Sequence, residues 1–180
     1  MKTFKELLIE LRACSDARKW AVDMPIEEIV TTCHRGDWLL WLAQKVNIPL
    51  KELTLAKGYC AKTVIHLMKD ERSIKAVEAA IAFGEGNITR GELDAVAAAA
   101  TYAATYAAAA TYAAAADVAA AVAADAAYAA VAAAAAAYAV AAAAAAATDA
   151  RTKNQLETAD ICRKYIGQLI IDKVNEILLK

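Results

Sequence analysis

The sequence predicts an all-α fold: a multi-helix bundle in which short N-terminal helices precede long Ala-rich helices that form an elongated hairpin or rod. Three observations predict it. From Ala95 to Ala147 the chain runs through 53 residues of which 38 are alanine, the residue with the highest intrinsic helix propensity. No glycine or proline occurs between Gly91 and Gly167 to interrupt a helix. Two capping boxes, Thr3-Phe4-Lys5-Glu6 and Thr89-Arg90-Gly91-Glu92, open the first helix and launch the alanine stretch.

Taken in order, the Thr3 box opens a helix that continues through about Cys14. Pro25 fits the first turn of a second helix, and Gly36-Asp37 ends it and caps a third. Pro49 begins another. Ser73 to Phe83 is a further amphipathic stretch, closed by Gly84-Glu85-Gly86. Helical spacing returns from Asn154 to Leu179, where Leu156, Ile161, Ile166, Leu169, Ile170, Val174, Ile177 and Leu178 direct the last helix to a mixed-residue core. The chain divides into a short-helix region (1–88), an Ala-rich region (89–150) and a C-terminal amphipathic helix (151–180), which at 180 residues make one continuous domain.

A helix over the alanine stretch is a rod of roughly 80 Å at the standard rise per residue. Its only charges are Asp117 and Asp125, so it is methyl-covered on every face and has to pack against something. Small side chains let helix axes approach closely. A break between Asp117 and Asp125 gives a hairpin, because Asp is a good N-cap. One unbroken rod pairing with a second protomer is the alternative, which leaves a homodimer open.

Thr101-Tyr102, Thr105-Tyr106 and Thr111-Tyr112 recur as pairs, and the three rings fall within about a third of the helical wheel. Such a stripe either anchors the rod on the N-terminal helices or presents a protein-binding face; Tyr102, Tyr106, Tyr112, Tyr128 and Tyr138 are the candidate contacts. The threonines do not follow the eleven-residue repeat of fish antifreeze helices.

The run from Ala126 to Ala147 carries no charge and is long enough to span a bilayer. Alanine partitions weakly into hydrocarbon, Asp117 and Asp125 lie beside the run, and no basic cluster flanks it, so no membrane association is expected. The N-terminus leads into an amphipathic helix rather than a secretion signal, and the expected location is cytoplasmic.

Charge excludes another class. Residues 1–94 carry 14 basic and 14 acidic side chains, the alanine stretch 2 acidic, and 148–180 carry 6 basic and 5 acidic, for a net charge of −1. No basic footprint for direct nucleic-acid binding emerges. Cys14, Cys33, Cys60 and Cys162 form no Cys-x-x-Cys and read as free, mostly buried thiols. Cys33-His34 and Cys60 with His66 do not match the spacing of standard metal ligands, no Gly-rich elbow presents a nucleophile, and neither a metal nor a cofactor is expected. Leu55 to Val64 faintly echoes a helix-turn-helix with its glycine misplaced. Glu27-Glu28 and Asp70-Glu71 read as solvated helix faces.

The most distinctive element outside the alanines is Asp37-Trp38-Leu39-Leu40-Trp41. With Asp37 as cap, Trp38 and Trp41 neighbour each other on the helix and, with Trp20, account for all three tryptophans. They form either a structural aromatic cluster stapling the N-terminal helices or an exposed anchor.

The succession Cys14 to Trp20, Gly36 to Trp41, Arg72 to Ala79, Gly84, Glu92-Leu93, the Ala/Tyr repeats and Gln155 to Arg163 resembles an Ala-rich, all-helical family of immunity proteins from bacterial polymorphic-toxin loci and gut phages or prophages. The resemblance spans nearly the whole chain; its most specific parts are the Asp-Trp-Leu element and the Glu-Leu entry to the alanine stretch. It implies a non-enzymatic protein that neutralises a toxin, often a nuclease, by stoichiometric binding. The near-neutral charge argues against DNA mimicry. Related readings are a phage-encoded anti-defence (anti-CRISPR-type) inhibitor of an RNA-guided nuclease and a structural or scaffolding protein that uses the Ala-rich helices as an oligomerisation seam.

Overall fold

The computed structural model describes residues 2–21, 24–68, 70–109 and 147–180. Among them all regular structure is helical: α1 (Phe4–Glu10), α2 (Ser15–Trp20), α3 (Ile26–Thr32), α4 (Gly36–Lys45), α5 (Leu50–Lys62), a 3-10 turn (Ile65–Leu67), α6 (Glu71–Glu85), α7 (Arg90–Ala109), α8 (Ala147–Cys162), a π turn (Arg163–Gly167) and α9 (Gln168–Leu178).

Helix starts follow local chemistry. Thr3 Oγ1 accepts from the Glu6 amide at 3.3 Å while the Glu6 carboxylate accepts from the Thr3 amide at 2.7 Å, completing the capping box of α1. The same exchange between Thr89 and Glu92, at 3.3 and 2.7 Å, opens α7. Pro25 and Pro49 stand immediately before α3 and α5, as N-caps in extended backbone. Asp70 caps α6 by accepting from the Arg72 amide at 2.8 Å.

Helix ends follow one device used three times. A left-handed residue stands two positions past α1 and α4 and one past α6 (Arg12 φ 60, Asn47 φ 57, Gly86 φ 84), and the next amide reaches back five residues. Those bonds are Ala13 N–H to Leu8 at 2.9 Å, Ile48 N–H to Ala43 at 3.0 Å, and Asn87 N–H to Ala82 at 2.8 Å. Ala13 and Leu8 are both buried, which supplies the apolar contact that accompanies this motif.

Two expectations are corrected here. The first helix does not reach Cys14: it stops at Glu10, the chain reverses at Arg12, and Cys14 instead caps a separate helix, its Sγ accepting from the Ala17 amide at 3.5 Å. Asp37 does not cap α4, since Gly36 is already helical and the cap position is Arg35 with no side-chain bond. The Asp37 carboxylate is held by the Arg35 guanidinium, which competes with the backbone for its oxygens.

Two apolar clusters share α5. The larger joins Leu7 of α1, Ile29 of α3, Leu39 of α4, Leu53 and Ala56 of α5, Cys162 of α8, Ile166 of the π turn, and Ile170 and Val174 of α9. The smaller joins Ala61 of α5, Val77 and Phe83 of α6, and Leu93, Ala97 and Ala100 of α7. Glycines set how closely the helices cross. A Cβ on Gly58 of α5 would lie 2.8 Å from Ile81 of α6, and one on Gly84 of α6 would lie 2.8 Å from the Leu55 Cα of α5. Gly58 therefore lies inside one uninterrupted helix as a contact point, and α5 contains no turn of the helix-turn-helix kind.

Among the described residues the C-terminal helical region is helical from Ala147, ahead of the apolar spacing that starts near Asn154, and carries the π turn in its middle. α8 packs on α4 and α5, and α9 on α3. No described helix is long and apolar enough to cross a membrane. The expected break between Asp117 and Asp125, and with it the choice between hairpin and rod, lies outside the described residues.

Candidate functional site

The end of α2, the loop between α3 and α4 and the first turn of α4 bring three rings together. Trp20 and His34 stand edge to face with centroids 5.8 Å apart, Trp20 and Trp38 lie 5.9 Å apart, and His34 and Trp38 lie 6.0 Å apart. The Arg35 guanidinium lies over the Trp38 ring at 4.8 Å and donates to both Asp37 oxygens, at 2.8 and 2.5 Å. The Asp37 hydrogen bonds push the Arg35 guanidinium above its ordinary pKa, and a guanidinium is cationic at neutral pH in any case. His34 and Asp37 are exposed and the two tryptophans half-buried. Beneath them Trp20, Trp38 and Trp41 join Phe4, Leu8 and Cys33 around an apolar hollow of about 30 Å³, room for little more than a water molecule.

A second grouping lies where α5 meets the π turn. The Tyr59 and Tyr165 rings are stacked, 4.7 Å apart and 9° from parallel, and the Tyr59 hydroxyl donates to Glu85 at 3.0 Å. The adjacent Tyr165 hydroxyl, then the Glu85 carboxylate, push the Tyr59 hydroxyl up to about 12, because each disfavours a phenolate there. Lys164 stands 4.9 Å from the Tyr165 ring and Lys62 5.8 Å from the Tyr59 ring.

Under this stack lies a seam of thiols. Cys60 Sγ and Cys162 Sγ are 3.9 Å apart; Cys60 also faces the Thr158 carbonyl at 3.7 Å, and Cys162 the Gly36 carbonyl at 3.6 Å. Cys33 faces the Arg35 carbonyl at 3.4 Å. All four cysteines are free; Cys14 is exposed, Cys60 half-buried, Cys33 and Cys162 buried. Contact with Cys60 and burial push the Cys162 thiol up, and burial does the same to Cys33. Arg163, first residue of the π turn, closes the seam from the side, donating to the Cys33 carbonyl at 2.7 Å and the Val30 carbonyl at 3.4 Å.

Of the residues singled out by sequence, Trp20, Trp38 and Trp41 line one hollow, and Asp37 is tied to them through Arg35. Tyr102 and Tyr106 fall on α7, with their side chains outside the described residues; Tyr112, Tyr128 and Tyr138 lie outside them altogether. The sequence reading did not place His34 in the tryptophan group, nor Tyr59 with Tyr165. The adjacency of His34 to Arg35 and Trp38 was a usable signal for the first; the second depends on which helix α8 returns to. Among the described residues no three His, Cys, Asp or Glu side chains gather as a metal site. Comparison with protein-family models, curated proteins and solved structures finds no match to this chain.

Proposed function

We propose that the protein is a non-catalytic inhibitor acting in the cytoplasm, which neutralises an effector protein of the toxin class, such as a nuclease, by stoichiometric binding. The Trp20–His34–Trp38 face is its anchor, and the Ala-rich stretch forms an elongated arm, as hairpin or rod, that contributes the tyrosine stripe. The observation that carries this reading is the ring triangle with Arg35 laid over it, since Trp and Arg on a rigid framework dominate binding energy at protein interfaces. The framework is firm: Trp38 stands in the first turn of α4, whose Leu39 and Leu42 are buried in the larger core.

Affinity capture of the tagged chain from its native host, followed by quantitative mass spectrometry, tests the reading. One effector should be recovered in near-equal amount, and Trp38→Ala or Arg35→Ala should lower its recovery by about tenfold or more while the helical circular-dichroism signal is kept. Recovery of the bait alone, or turnover of a substrate by the purified chain, overturns it.

A further inference from the structure

Cys60 and Cys162 lie 102 residues apart in sequence and belong to different helices, yet their sulfurs are 3.9 Å from each other. They differ in access: Cys60 is half-buried on α5, whereas Cys162 is fully buried at the end of α8. Among the described residues neither sulfur has a strong partner: besides each other they face carbonyl oxygens at 3.7 and 3.6 Å. From this juxtaposition we propose that Cys60 and Cys162 are a dithiol modification site, closed to an intramolecular disulfide by low-molecular-weight disulfides of the glutathione type.

The order of events follows from access. Cys60, the reachable thiol, loses its proton to water, and its sulfur attacks the small disulfide. A Cys60 mixed disulfide forms and one small thiolate leaves. The Cys162 sulfur then attacks the Cys60 sulfur, expelling the second small thiolate, which takes up the Cys162 proton. Two protein thiols are oxidised by two electrons and one small disulfide is reduced to two thiols. Closing the bond requires the sulfur separation to shorten from 3.9 Å to the bonded distance of about 2.05 Å. Cys14 and Cys33 do not take part in ring closure: Cys14, exposed at the N-cap of α2, can only carry a small thiol, and Cys33 faces the Arg35 carbonyl.

The bond would have an unusual reach. It closes a covalent ring from α5 to α8 that contains α6, α7 and the whole alanine stretch. Ring closure over about 100 residues removes much conformational freedom from the unfolded chain, so oxidation should raise the melting temperature by about 5 °C or more.

The test uses the full reduced chain incubated with glutathione disulfide at neutral pH without denaturant. Tryptic mapping should show Gly58–Lys62 joined to Asn154–Arg163, with Cys33 still open to alkylation after unfolding and Cys14 bonded to no other cysteine of the chain, and the melting temperature should rise and revert on reduction. Cys162→Ser should stop at one glutathione on Cys60, and Cys60→Ser should form no link to Cys162. Should the serine variants fail to fold, the wild-type peptide map alone decides. Glutathione on Cys14 only, a bond from Cys33, a Cys60–Cys162 bond formed only in urea, or a fall in melting temperature each overturns the proposal.

Discussion

Gly36, the first residue of α4, lies against Thr158 of α8 with no room for a side chain: a methyl group on it would come within 2.6 Å of the Thr158 carbonyl carbon and 2.7 Å of its Cβ. Thr158 cannot give way easily, since its hydroxyl donates to the Asn154 and Gln155 carbonyls at 2.8 and 3.0 Å and its backbone belongs to the helix. This crossing seats α8 on α4 and so places Cys162 over the thiol seam.

Gly36→Ala should accordingly destabilise the protein by about 1–3 kcal/mol, the usual cost of overpacking. Gly91, in the first turn of α7, is the control: a Cβ there meets nothing within 4 Å, so Gly91→Ala should stabilise by about 0.5–1 kcal/mol through helix propensity. Urea denaturation of the two variants reads both signs, and a neutral Gly36→Ala would contradict the close crossing.

Arg163 satisfies carbonyls at the end of α3, donating to Cys33 at 2.7 Å and Val30 at 3.4 Å. Arg163→Met leaves those oxygens without that donor and should cost about 1–3 kcal/mol. Arg163→Lys should recover only part of the loss, because Nη1 serves both carbonyls while Nη2 holds the Asp160 carboxylate, and one ammonium nitrogen cannot occupy both positions. Equal stability of all three proteins by urea titration would contradict this role.

Acid should weaken the C-terminal helix through Glu176. Its hydrogen bonds to Lys173, at 2.8 Å, and Lys180, at 3.0 Å, depress its carboxyl from 4.5 to about 2. A depressed carboxylate contributes stability above its unfolded value and loses it as pH falls from about 4.5 toward 2. Glu6 and Glu92 in their capping boxes, and Glu27 through Asn175, are lowered as well and act in the same direction. The urea midpoint of Glu176→Gln should fall less steeply across this window than that of the wild type; parallel curves would contradict the assignment.

Tyr59 gives the opposite limb. Its folded pKa, about 12, exceeds the ordinary 10, so the neutral hydroxyl contributes stability that is complete below pH 10 and lost as pH rises toward 12. In an absorbance titration at the phenolate band, the difference between wild type and Tyr59→Phe should have its midpoint near 12. Glu85→Gln should move that midpoint down, since it removes the carboxylate that the Tyr59 hydroxyl donates to.

How far these features could be foreseen depends on how local they are. The Thr3 and Thr89 boxes, the stop at Gly86 and the starts after Pro25 and Pro49 are written within a few residues of themselves, and each could be read directly. The end of α1 could not, because an arginine, rather than the glycine or asparagine that marks such a reversal, takes the left-handed position at residue 12. Asp37 was misread for a related reason: its neighbour Arg35 offers the carboxylate two charged donors, which outweigh the amides of a first turn. The Cys60–Cys162 and Tyr59–Tyr165 pairs depend on where a distant helix returns, and no spacing rule connects residues so far apart.

Helix α5 belongs to both cores by way of two stripes: Leu53, Ala56 and Cys60 face one, while Leu50, Gly58 and Ala61 face the other. Those stripes lie about a third of a turn apart on the wheel, so few of its positions answer to one neighbour alone. A substitution on this helix is therefore constrained from two sides at once, whereas exposed residues such as His34 and Asp37 answer to neither core.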